Sequence, residues 1–249
     1  MTGHEAPTAD PRTFWNEWNA RWRAGLGTEW TPDEAARRRH ETIVQWVSAL
    51  KLPAPAILEV GCGAGWLSHD LSALGAVTGV DIADEIVERA RTRFPHIRFL
   101  AGDFLTVDLP SAHYDVVVGV DVTACVPDQP ALVRRMAERL KPGGYLVLAT
   151  QNRFVFERNE TLDPKALAPL RRWVNRRELR ALIAPWFDML RITTVSPVGH
   201  RGVLRLVNSY KLEALLTRVI SLARLTRIKE QLGFGRSFVL LARRRPGGA

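Results

Sequence analysis

The chain has 249 residues, 46% of them hydrophobic, and a formal net charge of +9. That size and composition suit an α/β domain with a sizeable core and exclude a collagen-like or low-complexity chain. Two cysteines, Cys62 and Cys125, are too few for a disulfide framework, and no apolar run approaches the roughly 18 residues of a membrane span, so a cytoplasmic protein is expected.

In chain order, residues 1–12 are polar, hold Pro7 and Pro11 and read as a disordered tail before a single domain, 13–249. Residues 13–55 read as N-terminal helices. The first runs from Phe14 to Trp22, with Trp15, Trp18 and Trp22 at spacings of three and four. The second runs from Thr31 to Leu50, with Thr31 as N-cap, Pro32 at the first helical position and Glu34 closing a capping box. Residues 56–150 then alternate strand and helix. Strands are expected at Ala56–Val60, Ala76–Asp81, Ile97–Gly102, Tyr114–Val120 and Tyr145–Thr150, and helices at Trp66–Leu74, Glu85–Arg93 and Gln129–Leu140. Such alternation predicts a parallel sheet with right-handed crossovers. Lys141-Pro142-Gly143-Gly144 reads as a turn.

Residues 151–243 are less regular. A long loop is expected from Asn152 to Arg172, then a helix capped by Asn175 with Glu178 three residues on. A strand at Phe187–Val195, a loop at Ser196–Asn208, one long helix at Ser209–Leu232 and a strand at Gly235–Arg243 follow, before a disordered end at Pro246-Gly247-Gly248. About seven strands result. Charge divides along the same line: residues 1–150 carry −4 and residues 151–249 carry +13. The second half could attract an anionic partner, or could simply be an Arg-rich solvated face.

The chemistry concentrates in Glu59-Val60-Gly61-Cys62-Gly63-Ala64-Gly65. Glycines let the backbone turn sharply and approach a ligand, and the loop joins the carboxyl end of a strand to a helix N-terminus, where open α/β sheets bind ligands. A dinucleotide fingerprint needs G-x-G-x-x-G/A, but the third small position holds Trp66. A nucleoside ligand without a pyrophosphate fits better. Asp81 ends the second strand 20 residues after Gly61, where a carboxylate can accept from ribose hydroxyls or cap a turn. Asp103 ends the third, where it can accept from an adenine amine beside Phe104, or serve as a turn residue beside a core aromatic.

The chain here resembles the class I S-adenosylmethionine-dependent methyltransferases, and most closely the small-molecule branch that includes ubiquinone-biosynthesis methyltransferases. The matching pieces are Ile57–Gly65, Gly79-Val80-Asp81, Ala101-Gly102-Asp103-Phe104, Tyr114–Val118 and Leu140–Leu146, in the family's order and spacing. The resemblance implies a Rossmann-like, doubly wound seven-stranded sheet, mostly parallel with the last strand antiparallel, plus helical caps. It implies S-adenosyl-L-methionine as cofactor, with Gly61, Gly63 and Gly65 cradling its methionine part beside Cys62. Glu59 would help hold the amino group, Asp81 the ribose with Ile82 beside it, Asp103 and Phe104 the adenine, while Val120 and Asp121 lie near the sulfonium. The Asn-Pro-Pro-Tyr motif of DNA-adenine methylation is absent; the stretch is Asp121-Val122-Thr123-Ala124.

The acceptor side is less specific. A hydroxyl acceptor usually needs a general base, and His200, flanked by Gly199 and Gly202 in the loop after the sixth strand, is the candidate; a solvated loop histidine is the competing reading. Trp15, Trp18 and Arg201 are the expected acceptor contacts, and a cap insertion is expected over about 196–232. The basic amphipathic segment within it could pack on the domain or lie on an anionic membrane surface. Together these readings favour methyl transfer to O, N or C of a small molecule, anionic or borne on an acidic carrier protein. Nucleic-acid methylation and a non-methylating enzyme on the same fold are the alternatives, and no metal is expected because no Cys/His cluster has metal-ligand spacing.

Overall fold

The apolar residues of the central strands face two ways, and each set meets its own helices. The computed structural model describes residues 10–26, 34–158, 172–199 and 201–246, with the side chains of all but 21–26. Seven strands form one sheet, β1 (Ala56–Val60), β2 (Ala76–Asp81), β3 (Arg98–Ala101), β4 (Tyr114–Val120), β5 (Leu140–Gln151), β6 (Phe187–Pro197) and β7 (Gly235–Arg244), in the order β3-β2-β1-β4-β5-β7-β6. β1 runs parallel to both β2 and β4, whereas β7 runs antiparallel to β5 and β6. This is the expected doubly wound, seven-stranded sheet with the last strand reversed.

On one face, Leu58, Val60, Val117, Leu146 and Leu148 pack against Leu132 and Met136 of α5 (Gln129–Arg139) and Leu179 and Ile183 of the helix Arg176–Ile183. On the other, Ile57, Val77, Val116 and Val118 meet Ile43 and Trp46 of α2 (Glu34–Ala49), Leu67 and Leu71 of α3 (Trp66–Ser72), and Val87 of α4 (Asp84–Arg93). Strand order reverses between β1 and β4. The connections leaving their carboxyl ends diverge there and open a crevice.

Several boundaries differ from the sequence reading. The first helix, α1, spans Pro11–Leu26, so the expected tail ends sooner. Asp10 starts it by accepting from the Thr13 N–H at 3.3 Å, and Pro11 at the first helical position needs no hydrogen-bond partner. Thr31 and Pro32, the expected cap of α2, lie outside the described residues, as do residues 1–9, most of the 152–172 loop and the final three residues. Asn152 instead caps a short helix, α6 (Arg153–Phe156), accepting from Phe154 N–H at 3.2 Å. The Lys141–Gly144 turn is absorbed into β5 as an irregularity, the register passing from Tyr114↔Leu140 to Val116↔Tyr145.

The largest difference lies between β6 and β7. The expected loop at 196–208 contains a helix, Gly202–Val207, and the expected helix at 209–232 is two, Tyr210–Leu216 and Leu222–Gln231. Thr217 turns its hydroxyl back onto the Glu213 carbonyl at 2.8 Å, and Ser221 starts a new helix by accepting from Arg224 N–H at 3.3 Å. Such hydroxyls offer the backbone an alternative to continuing the helix. The capping box of Asn175 and Glu178 forms as expected.

Candidate functional site

The loop after β1 is held to β2, where the Gly61 and Cys62 N–H groups donate to the Val80 carbonyl at 2.8 and 3.1 Å. Gly61, Gly63 and Gly65 all have left-handed backbones, φ 75, 49 and 80°, a region that side chains resist. Their surroundings differ. A Cβ on Gly65 would lie 2.7 Å from the Phe99 ring and 3.2 Å from Phe94, and one on Gly61 would crowd Val122 at 3.2 Å. A Cβ on Gly63 would meet nothing within 4 Å. Gly63 therefore leaves its space to the crevice, and Gly65 leaves its space to the core.

Carboxylates ring the loop. Asp81 accepts from Gly63 N–H at 2.9 Å and from Ala83 N–H at 3.0 Å. Burial raises its pKa, and those N–H groups oppose the rise. Asp103, exposed at the end of β3, accepts from Leu105 N–H at 2.9 Å, and the neighbouring Phe104 ring is buried. Glu59 is buried on β1 and accepts from the Ser68 hydroxyl of α3. Burial pushes its pKa to about 8, a rise that the Ser68 bond opposes and nearby Asp81 and Asp70 reinforce.

The Glu59 shift has a definite sign. The folded chain holds its proton in a pH range where the unfolded chain has released it, so stability falls as pH rises from about 4.5 to about 8. Melting temperatures across that range should show this slope for the ligand-free protein, and Glu59→Gln should flatten it. A variant with an unchanged slope would assign the titration to another group.

These residues line one cavity of about 880 Å³. Glu59, Gly61, Cys62, Gly63, Asp81, Ile82, Asp103, Phe104, Val120 and Asp121 all reach it, and so do Trp15 and Trp18 from α1. The helix α1 is placed there by its Asn16 amide, which donates to Asp84 at 2.6 Å, and within the helix the Phe14 ring stacks on Trp18 with centroids 6.2 Å apart. Two of the expected residues lie off the cavity wall. Gly65 packs on Phe99 and does not line the cavity, because its missing Cβ makes room for a core ring. Arg201 is exposed at the start of the Gly202–Val207 helix and is not among the cavity-lining residues. His200 lies outside the described residues.

The cavity also contains residues that local sequence did not reveal. Arg39 of α2, with only 12% of its side chain exposed, bridges Asp121 at 3.1 Å and donates to Ser237 at 3.1 Å. Asp121 has φ 58°, a left-handed strain costing about 1–3 kcal/mol that the surroundings must hold in place. Gln151 at the end of β5, Phe156 of α6 and Arg236 of β7 form another wall. The Arg236 guanidinium lies 5.4 Å from the Phe156 ring centroid, and no carboxylate among the described residues pairs with it. Gln151 Oε1 and Arg236 Nε are buried without hydrogen-bond partners among the described residues. Buried polar atoms normally have partners, so this wall can offer hydrogen bonds to a polar ligand. Gln151 sits at the same carboxyl sheet edge as Asp81 and Asp103, a placement that strand order alone could have suggested; Arg39 and Arg236 carry no such signal.

Comparison with known proteins agrees with this geometry. Residues 57–144 match the family model described as a methyltransferase domain. The ubiquinone biosynthesis O-methyltransferase of Xanthomonas euvesicatoria pv. vesicatoria is 34% identical over 142 residues, 52% of this chain and 59% of that protein. The chain thus spans about three-fifths of the length of the curated relatives that it matches. Among solved structures, phosphoethanolamine N-methyltransferase 2 of Haemonchus contortus, in complex with S-adenosyl-L-methionine, has a TM-score of 0.66 at 14% identity and covers 96% of this chain and 61% of that one. Magnesium protoporphyrin IX methyltransferase of Synechocystis PCC 6803, with bound cofactor, has a TM-score of 0.61 at 18% identity, covering 97% and 100%. At these identities the structures establish the fold.

Proposed function

We propose, for a chain that carries a methyltransferase domain over residues 57–144, that the cavity binds S-adenosyl-L-methionine and that the protein methylates a small-molecule acceptor. The observation that carries this reading is a single cavity that joins the open face of Gly63, the carboxylates Glu59, Asp81 and Asp103, and the Trp15 and Trp18 rings. Gly61, Cys62 and Gly63 give backbone room for the cofactor's methionine part. Glu59 holds its ammonium, and the Arg39 guanidinium faces its carboxylate. Asp81 and Ile82 hold the ribose side, Asp103 and Phe104 the adenine, and Val120 with Asp121 borders the sulfonium. When bound, the cofactor supplies a methyl group already activated on positive sulfur, so the protein's main task is to position the acceptor and exclude water. Trp15, Trp18 and Phe156 supply apolar walls for that purpose.

The acceptor in this reading is anionic. Arg236, partly buried, offers a guanidinium to the cavity with no carboxylate partner among the described residues, and a partly desolvated cation favours an opposite charge. In this reading Arg236, rather than the expected acceptor contact Arg201, meets the anion. His200, between β6 and the Gly202–Val207 helix in sequence, remains the proposed base for a hydroxyl acceptor. A cytoplasmic location belongs to the same reading. Among the described residues, no helix is long and apolar enough to cross a membrane.

Transfer from labelled cofactor to a matched pair of acceptors, a carboxylated phenol and its neutral amide, tests the function and the acceptor class together. The wild type should prefer the carboxylate. Arg236→Gln should lower kcat/KM for it by roughly 10- to 150-fold, the loss of a hydrogen bond to a charged group, and should change the amide little. Transfer to neither compound, or a preference that survives the substitution, would contradict the assignment.

A further inference from the structure

Among the described residues, ten large apolar side chains stand exposed, and nine of them fall between Val203 and Leu232. They lie on the three short helices inserted between β6 and β7 and, for Val219 and Leu232, on the turns that follow two of them. The segment anchors to the rest of the fold through few groups: Leu204 and Leu225 are buried, and so are Lys229 and Glu230. The helix Tyr210–Leu216 buries none of its residues. Tyr210 is 83% exposed, Val219 87% and Leu206 68%. So many exposed apolar side chains within one segment of 30 residues mark an interaction site rather than a solvated face.

The charges of the same segment identify the occupant. Arg205, Lys211, Arg218, Arg224 and Arg227 are exposed among these apolar residues. The two carboxylates of the segment are already engaged inward: Glu213 with Lys229 at 3.0 Å, and Glu230 with Arg38 at 2.9 Å. The outer surface is therefore apolar and positive, with no acidic group of its own left to offset it. A second copy of this chain would bring like charges face to face, which opposes self-association. We propose that this surface docks on a bilayer that contains anionic lipid. The apolar side chains enter the boundary between headgroups and acyl chains while the basic ones meet the lipid phosphates. All three helices are too short to span a bilayer, so the attachment is peripheral. The inference stands apart from the methyl-transfer reading, because none of these residues lines the cavity.

Co-sedimentation of the full chain with phosphatidylcholine vesicles, with and without phosphatidylglycerol, tests it. Binding should be at least about tenfold tighter to the vesicles with phosphatidylglycerol, because each basic residue near an anionic leaflet adds roughly fivefold. Val219→Asp with Leu215→Asp should abolish binding, and Arg218→Glu with Arg224→Glu should erase the preference for anionic vesicles. All four side chains are exposed, so both variants should melt with the wild type. Equal or absent binding to the two vesicle types, or tight binding by the Asp variant, would overturn the proposal. So would a wild-type dimer in gel filtration that Val219→Asp dissociates, since that would make a second copy the occupant.

Discussion

Gly65→Ala is expected to destabilise the fold by about 2–5 kcal/mol. The backbone there has φ 80°, which costs an L-residue roughly 1–2 kcal/mol. The new methyl would also sit 2.7 Å from Phe99 Cζ and 3.2 Å from Phe94 Cδ2, and overpacking a core typically costs a further ~1–3 kcal/mol. The rings have little room to yield, because Gly79 also leaves its own Cβ space, 2.7 Å away, to Phe99. For a chain of this size the melting temperature should fall by roughly 5–20 °C. Gly63→Ala is the control. It shares the left-handed backbone but meets no atom within 4 Å, so its cost to folding is about 1–2 kcal/mol, and its methyl takes up ligand space. The first variant should lose stability and the second should lose affinity. Equal melting of the two would contradict the division of labour within the loop.

Asp81→Ala should weaken binding of S-adenosylhomocysteine by about 10- to 150-fold, the 1.5–3 kcal/mol of hydrogen bonds to a charged group. The N–H groups of Gly63 and Ala83 occupy one lone pair on each carboxylate oxygen, and each oxygen keeps a second for a ribose hydroxyl. The same two bonds fix the carboxylate's orientation before the ligand arrives, so little ordering is left to oppose binding. Calorimetry on the variant measures the loss. Affinity within twofold of wild type, with the melting curve unchanged, would place the ribose elsewhere in the cavity.

What could be read in the sequence was what neighbouring residues decide. The glycine loop, Asp81 and Asp103 each sit at the carboxyl end of a strand whose apolar run announces it, so their convergence followed from strand order. Glu59 was equally visible, but not its burial against Ser68, which depends on how α3 returns onto β1. Gly65 looked like its neighbours, because a glycine's spacing does not reveal whether a ligand or a phenyl ring occupies the missing Cβ. Arg39 and Arg236 were hidden for a further reason. They belong to α2 and β7, at opposite ends of the chain, and come to line one cavity only when β7 inserts beside β5 and brings Ser237 to Arg39. The misread segment from 209 to 232 kept a helical apolar spacing across the Thr217–Ser221 break, and the two hydroxyls that end one helix and begin the next outweighed it.

Calorimetric titration of the wild-type protein identifies the ligand of the cavity most directly. S-adenosylmethionine and S-adenosylhomocysteine should each bind at one saturable site per chain, and NAD should give no heat of binding, since Trp66 stands where a pyrophosphate-binding loop requires a small residue. Saturable NAD binding, or no binding of S-adenosylhomocysteine to the folded protein, would contradict the proposed function.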